Sequence, residues 1–90
     1  MIAYSINYDL KAPGRDYSGL FEAIKQSPKW WHFLDSTWIV VTEENVGQVW
    51  ERLAPHIDRN DYLLVIEVRA TSQGWLPKEA WDWIYANVER

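Results

Sequence analysis

The fold is decided by residues 30–43, which read WWHFLDSTWIVVTE. Two stretches rich in aromatic and β-branched residues, 30–34 and 37–43, flank Asp35-Ser36. This composition favours two β-strands joined by a tight turn, with an irregular conformation as the alternative for residues 30–34. Two consecutive strands therefore lie in the middle of the chain, and the pattern on either side of them decides how they are used.

The segment before these strands predicts one further strand and a helix. Apolar and polar residues alternate over residues 2–10, as is typical of a half-buried strand. Residues 11–15 are predicted to form a loop, after which Asp16 can cap a helix that ends before Pro28. The apolar residues of this helix have helical spacing: Tyr17, Leu20, Phe21 and Ile24.

The segment after them predicts a helix, a strand and a terminal helix. Asn45 and Gln48 can form a capping box at the start of a helix that Pro55 ends. Residues 62–69 are an apolar run of strand length. A last helix follows Pro77, with an apolar stripe of Trp81, Ile84, Tyr85 and Val88.

The order β-α-β-β-α-β predicts an α+β fold, a ferredoxin-like sandwich with an additional C-terminal helix. We expect a single domain over residues 1–90, with its core in residues 1–69 and a C-terminal extension in residues 70–90. The third and fourth strands are apolar on both faces, whereas a sheet with helices on one face should leave the other face polar. The second face is therefore predicted to pack against the terminal helix, a second subunit or a ligand, and we expect a homodimer.

Composition narrows the functional classes. The net charge is −4, and no cluster of Lys and Arg is present, so any nucleic acid is expected to bind locally or to an assembly. The absence of cysteine excludes disulfides, thiolate zinc sites and a cysteine nucleophile, and favours a cytoplasmic location. Neither a signal-peptide pattern nor a run of about 18 apolar residues is present, so we expect no membrane partner.

Aromatic residues are the most unusual feature, because seven Trp and five Tyr are too many for so small a domain to bury completely. Residues 29–32, KWWH, suit nucleic acid or a nucleotide, since rings stack on bases and a cation contacts phosphate. The simpler interpretation places one of the two tryptophans in the core and its neighbour over a dimer edge. The candidate binding residues are Tyr8, Arg15, Lys29, Trp30, Trp31, Ser36 and Trp38. The alternative to a nuclease is a non-catalytic module that binds a small nucleotide or a protein partner through an aromatic-rich face of the sheet.

Asp9 is the candidate for metal binding and catalysis. It ends the first predicted strand, and a carboxylate there can bind a hard cation such as Mg²⁺ or Mn²⁺, shared by two subunits across a twofold axis. The alternative is that Asp9 accepts hydrogen bonds from the following turn. His32 and His56 have no metal-ligand spacing, and phosphate-binding loops and serine-hydrolase motifs are absent.

Two groups of motifs resemble known families. The pattern Tyr8-Asp9-Leu10, a helix, residues 35–40 (DSTWIV), a helix, and then Asp58, Asp61 and an apolar strand resembles the CRISPR-associated protein 2 family. The same first motif, with Trp30-Trp31-His32 and Ser36-Thr37-Trp38, is similar to small bacterial and phage proteins labelled as the SinR family. The resemblance covers residues 2–69.

This resemblance implies a ferredoxin-like homodimer. In the CRISPR-associated family the aspartate matching Asp9 has been proposed as a divalent-metal ligand for nuclease activity, whereas other members are non-catalytic scaffolds that bridge DNA. Toxins of the VapD type with the same fold are associated with RNA cleavage. Ser36 matches a family serine, but the typical flanking glutamine is missing and the acidic balance departs from the basic DNA-binding members.

Overall fold

The structure is a computed structural model that describes residues 1–12 and 14–89. The strands are β1 (Ile2–Asp9), β2 (Lys29–Leu34), β3 (Thr37–Thr42) and β4 (Tyr62–Glu67). The helices are α1 (Ser18–Lys25), α2 (Val46–Leu53) and α3 (Lys78–Asn87), and a 3₁₀ helix, Ala54–His56, follows α2 directly. Pro13, in the predicted loop, and Arg90, at the end of the predicted extension, lie outside the described residues.

The strands form an antiparallel sheet in the order β2-β3-β1-β4. This confirms the α+β class and the two strands around Asp35-Ser36, and the order is compatible with the predicted sandwich. The β2–β3 register shifts between Trp31 and Leu34, so β2 is a strand with an irregularity. The outer edges of the sheet are β2 and β4.

One face of the sheet packs against α1 and α2. Tyr4, Ile6, Trp38 and Val40 point towards these helices, and each is at most 2% exposed. Burial of a large apolar side chain stabilises a fold by about 1.5–3 kcal/mol. The helices contribute Leu20, Ala23, Ile24, Val49 and Leu53 to the same core.

The opposite face packs against α3, which confirms the terminal helix as one of the predicted covers. Ala80, Ile84 and Val88 lie over Trp31 and Val41, above β2 and β3. The Trp31 Nε1–H donates to the Ala80 carbonyl at 3.1 Å. The cover is partial, because the side chains that β4 places on this face remain exposed.

The ends of the elements follow from local hydrogen bonds. At α2 the predicted capping box is present: Asn45 Oδ1 accepts from the Gln48 amide at 2.9 Å, and Gln48 Oε1 accepts from the Asn45 amide at 2.8 Å. Asp16 does not cap α1 directly, because the residue preceding this helix is Tyr17. Its carboxylate instead accepts from the Ser18 amide at 2.9 Å and so holds the approach to the helix.

Within the described ranges, no helix has both the length and the apolar character needed to cross a bilayer.

Candidate functional site

Asp9 lies at the end of β1, on the face of the sheet that α3 covers elsewhere. Its side chain is 66% exposed, and its carboxylate lies 3.4 Å from Lys11 Nζ. The alternative prediction is that Asp9 accepts hydrogen bonds from the turn that follows it. The backbone amide of Lys11 donates instead to Asp61, at 2.6 Å. Asp9 is therefore an accessible carboxylate with one neighbouring cation.

The donor set around Asp9 does not by itself fit a hard divalent cation. Such ions take six or more oxygen ligands, and Mg²⁺ usually takes one or two of them from carboxylates and the rest from water and substrate phosphates. Among the residues that the structure describes, no three His, Asp or Glu side chains lie close enough together to hold a metal ion. A metal bound at Asp9 would need further ligands from a second chain, a substrate or water.

Tyr8, Trp38 and the turn at Asp35-Ser36 form one hydrogen-bonded unit. The Trp38 Nε1–H donates to Tyr8 Oη at 3.0 Å, and the Tyr8 hydroxyl donates to the Asp35 carbonyl at 3.1 Å. The Ser36 carbonyl accepts from the Tyr8 amide at 3.1 Å. Burial raises the pKa of Tyr8, and the hydrogen bond from Trp38 partly offsets this. Tyr8, Trp38 and the Ser36 backbone therefore hold the β2–β3 turn against β1.

His32 covers the buried Trp38 ring from outside. The two rings are stacked, with centroids 3.7 Å apart and an interplanar angle of 12°. His32 Nε2 lies 3.2 Å from the Asp35 carbonyl oxygen, which fixes the ring over the turn when that nitrogen carries the proton. The imidazole is exposed on its other face and adds to the surface of β2.

The adjacent tryptophans Trp30 and Trp31 have opposite environments. Trp31 is 2% exposed and packs under α3, whereas Trp30 is 41% exposed at the β2 edge. This confirms the interpretation that one of the pair is core, and it leaves Trp31 and Trp38 without a ring face open to a ligand. Trp30 is the accessible ring of the predicted KWWH stretch.

A lysine that the sequence analysis did not select lies over Trp30. Lys25 Nζ, in the last turn of α1, is 5.3 Å from the centroid of the Trp30 ring. The break at Pro28 brings the end of α1 beside the start of β2. The closeness of Lys25 and Trp30 in the sequence could therefore have indicated this contact.

Lys29 begins β2 and pairs with Val41, whereas Trp30 pairs with Val40, so the Lys29 side chain lies on the opposite face of the sheet from Trp30. We call Lys25, Trp30 and His32 the edge site.

Arg15 lies away from the edge site, and its contacts are structural. Its guanidinium is 3.6 Å from the Asp58 carboxylate and donates to the His56 carbonyl at 3.4 Å. It also lies 5.5 Å from the centroid of the Tyr17 ring. Arg15 therefore connects the loop before α1 to the segment after α2, and the structure does not bring it together with Lys29 and Trp30.

A groove with a mixed polar and apolar lining lies beside α3 on the second face. It has a volume of about 280 Å³ and lies between the sheet and the segment that leads into α3. Trp31, Ile39 and Ile84 form apolar parts of its wall, and Thr71, Ser72 and Gln73 lie at its rim. Near it, Trp75 is 99% exposed.

Comparisons with protein-family models, curated proteins and solved structures found no match to this chain.

Proposed function

We propose that this chain is a ferredoxin-like, homodimeric binding protein that engages single-stranded nucleic acid or a nucleotide through the edge site. The ferredoxin-like assignment is supported by the antiparallel order β2-β3-β1-β4 with α1 and α2 on one face. The resemblance of residues 2–69 to the CRISPR-associated protein 2 family supports both the fold and the ligand class. The observation that carries the binding proposal is the exposed Trp30 ring with a lysine ammonium over it.

The chemistry of the edge site suits one or two nucleotides. A base stacks on the Trp30 ring, and the Lys25 ammonium contacts an adjacent phosphate. One phosphate contact to a single strand predicts that log K falls with log salt with a slope of about −0.7. Such local contact is compatible with a chain whose net charge is −4.

Binding requires Lys25 to leave the ring face that a base would occupy. A cation over an exposed aromatic ring contributes about 0.5–1 kcal/mol, whereas base stacking on an aromatic side chain contributes about 1–3 kcal/mol. The exchange is therefore favourable, and the displaced ammonium becomes available to a phosphate.

The test is fluorescence anisotropy of labelled single-stranded RNA and DNA oligonucleotides at low salt. Trp30→Ala is expected to weaken binding by about 5- to 150-fold, as loss of one stacked base predicts. Trp75→Ala is the matched control, because this ring is fully exposed and lies outside the edge site. Equal affinity of Trp30→Ala and the wild type, or no binding of any oligonucleotide or mononucleotide, would overturn the proposal.

A second candidate function is a nuclease that depends on Mg²⁺ or Mn²⁺ and uses Asp9. The observation that favours it is the exposed Asp9 carboxylate on the part of the second face that α3 leaves open. Since no group of three potential ligands lies together in the described ranges, this function needs further oxygen ligands from a second chain, a substrate or water.

The nuclease candidate is tested by incubating labelled RNA and DNA with Mg²⁺, Mn²⁺ or EDTA. Cleavage that EDTA and Asp9→Ala abolish, and that Asp82→Ala retains, would support it. Asp82 is a suitable control because it is also an exposed aspartate paired with a lysine, Lys78, at 2.7 Å. Full cleavage by Asp9→Ala would eliminate the catalytic role.

A further inference from the structure

The outer edge of β4 exposes apolar side chains on both faces of the strand. We call this set the β4 surface: Val46 (49% exposed), Trp50 (43%), Tyr62 (68%), Leu64 (54%) and Ile66 (49%). Tyr62, Leu64 and Ile66 lie on the face that α3 leaves open, whereas Val46 and Trp50 belong to α2 on the opposite face. On the α2 side, the strand and helix enclose a shallow apolar groove of about 340 Å³.

The two edges of the sheet differ in their protection against pairing. β2 carries Lys29 and His32 and has a register shift, which are features that discourage addition of another strand. β4 reads YLLVIE, with a single charge at its last position and no proline. An apolar edge strand of this kind is prone to pair with another strand unless something covers it.

The β4 surface is large enough to form part of a protein interface. Its five residues expose on the order of 500 Å² per chain, within the range of the largest patch on a typical monomer. A standard interface buries roughly 800 Å² per partner, and the unpaired backbone edge of β4 and the adjoining groove would add to the area.

We propose that β4 pairs with β4 of a second copy in antiparallel orientation, so that the two sheets become one continuous eight-stranded sheet. A twofold axis gives a closed dimer in which each copy uses the same surface. Antiparallel pairing also separates the two Glu67 carboxylates, which a parallel pair would place side by side. The β4 pairing specifies the homodimer of the proposed function and rests on that homodimer, but it does not depend on nucleic-acid binding.

The register follows from the apolar pattern. Side chains alternate between the two faces along each strand. The exposed faces of the two sheets therefore stay continuous only if even-numbered residues of one β4 strand face even-numbered residues of the other. With Leu64 facing Leu64 of the partner subunit, Tyr62 faces Ile66 of the partner subunit. The three exposed side chains of each strand then form one six-residue apolar strip.

This dimer is incompatible with a metal shared by two Asp9 residues. Asp9 lies on β1, next to β4, so three strand spacings separate the two β1 strands of the dimer. At 4.7–4.9 Å per spacing, the two carboxylates are at least about 14 Å apart. The edge dimer and a face-to-face dimer with paired Asp9 residues are therefore distinguishable.

Single-cysteine variants distinguish these arrangements, because the chain has no cysteine of its own. Facing residues of antiparallel strands have Cα atoms about 4.5–5.5 Å apart, within the range that a disulfide spans. After mild oxidation, Leu64→Cys is expected to form a cross-linked dimer. Leu34→Cys, which is 47% exposed on β2, is the matched control and is expected to stay uncross-linked. Asp9→Cys reports the face-to-face alternative.

Light scattering of the wild-type chain separates the failure of this inference from the failure of the homodimer proposal. A monomer at all concentrations overturns both. The wild type could be a dimer while Leu64→Cys fails to cross-link and Asp9→Cys or Leu34→Cys does cross-link. That outcome overturns the β4 pairing alone, and the homodimer proposal stands.

Introduction of a charge at position 64 gives a second, independent measurement. Leu64→Lys and Leu64→Glu each place like charges face to face and are expected to raise the dimer Kd by at least about 100-fold. A mixture of the two variants is expected to restore a dimer, whereas Leu34→Lys alone remains dimeric. Circular dichroism shows whether each variant is folded, and a folded Leu64→Lys that dimerises like the wild type would overturn the proposal.

Discussion

At the scale of single residues, Asp61 connects the turn before β4 to the distant loop between β1 and α1. Its carboxylate accepts from the backbone amides of Lys11 at 2.6 Å and Asp58 at 2.7 Å, and from the Tyr17 hydroxyl at 2.7 Å. Burial would raise the pKa of Asp61, but these hydrogen bonds outweigh it and the pKa is lowered. The ionised carboxylate therefore stabilises the folded state.

Asp61→Asn is expected to lower the Tm by several degrees at neutral pH, because the amide offers a donor where three donors already converge. The Asp61 carboxylate stabilises the fold above the unfolded pKa of about 3.8, and this contribution is lost as the pH falls through the lower folded pKa. The difference in Tm between the wild type and the variant should therefore narrow below about pH 4. Thermal unfolding followed by circular dichroism measures it, with the exposed Asp9→Asn as control. A constant difference down to the lowest pH would contradict this role.

Residue-level prediction from the sequence was limited by long-range contacts. Trp30 and Trp31 are adjacent and chemically identical, and only the placement of α3 decides which of them is buried. Asp61 was recognised as part of a motif, but its partner Tyr17 is 44 residues away and no local pattern connects the two. Lys25 was missed because its role depends on the angle at which α1 meets β2.

At the scale of elements, α3 is attached to the sheet by a small apolar contact centred on Ile84, which is 6% exposed. Ile84 packs with Ala80 and Val88 against Trp31 and Val41. The helix is ten residues long, too short to be stable alone in water, so its structure depends on this contact.

Ile84→Ala is expected to reduce the free energy of unfolding by about 2–5 kcal/mol, as removal of a buried branched side chain does. Denaturant unfolding gives the value, and Glu79→Gln on the exposed side of α3 is a control that should change it little. A loss for Ile84→Ala no larger than that of the control would show that α3 is not docked in solution.

Elements were predicted well where the signal is local. The alternation of residues 2–10, the Asn45-Gln48 capping box and Pro55 each act within a few residues, and β1 and α2 lie where they were expected. Two strands end earlier than predicted, β3 at Thr42 and β4 at Glu67. At the end of β3 the pairing partner is Ile2, the first residue of β1. For the cover of the second face the sequence left three alternatives, a helix, a subunit and a ligand. Apolar residues on a strand do not identify what packs on them.

At the scale of the whole molecule, the proposed pairing through β4 would link stability to protein concentration. Anything that binds the folded state and not the unfolded one raises the Tm by mass action. The Tm of the wild type is therefore expected to rise as the protein concentration increases, and the Tm of Leu64→Lys is expected to stay constant. Differential scanning calorimetry over a wide concentration range makes the comparison. A wild-type Tm that is independent of concentration would count against the dimer.

The incomplete cover on the second face has a consequence for competition. The segment between β4 and α3 tethers this helix to the sheet, and a short tether keeps it at a local concentration in the millimolar range. An external helix or ligand that binds at Trp31 and Val41 must first displace α3, which is held nearby by its tether. A ligand that binds at Leu64 and Ile66 does not compete with α3, so the two halves of the same face require different intrinsic affinities for binding.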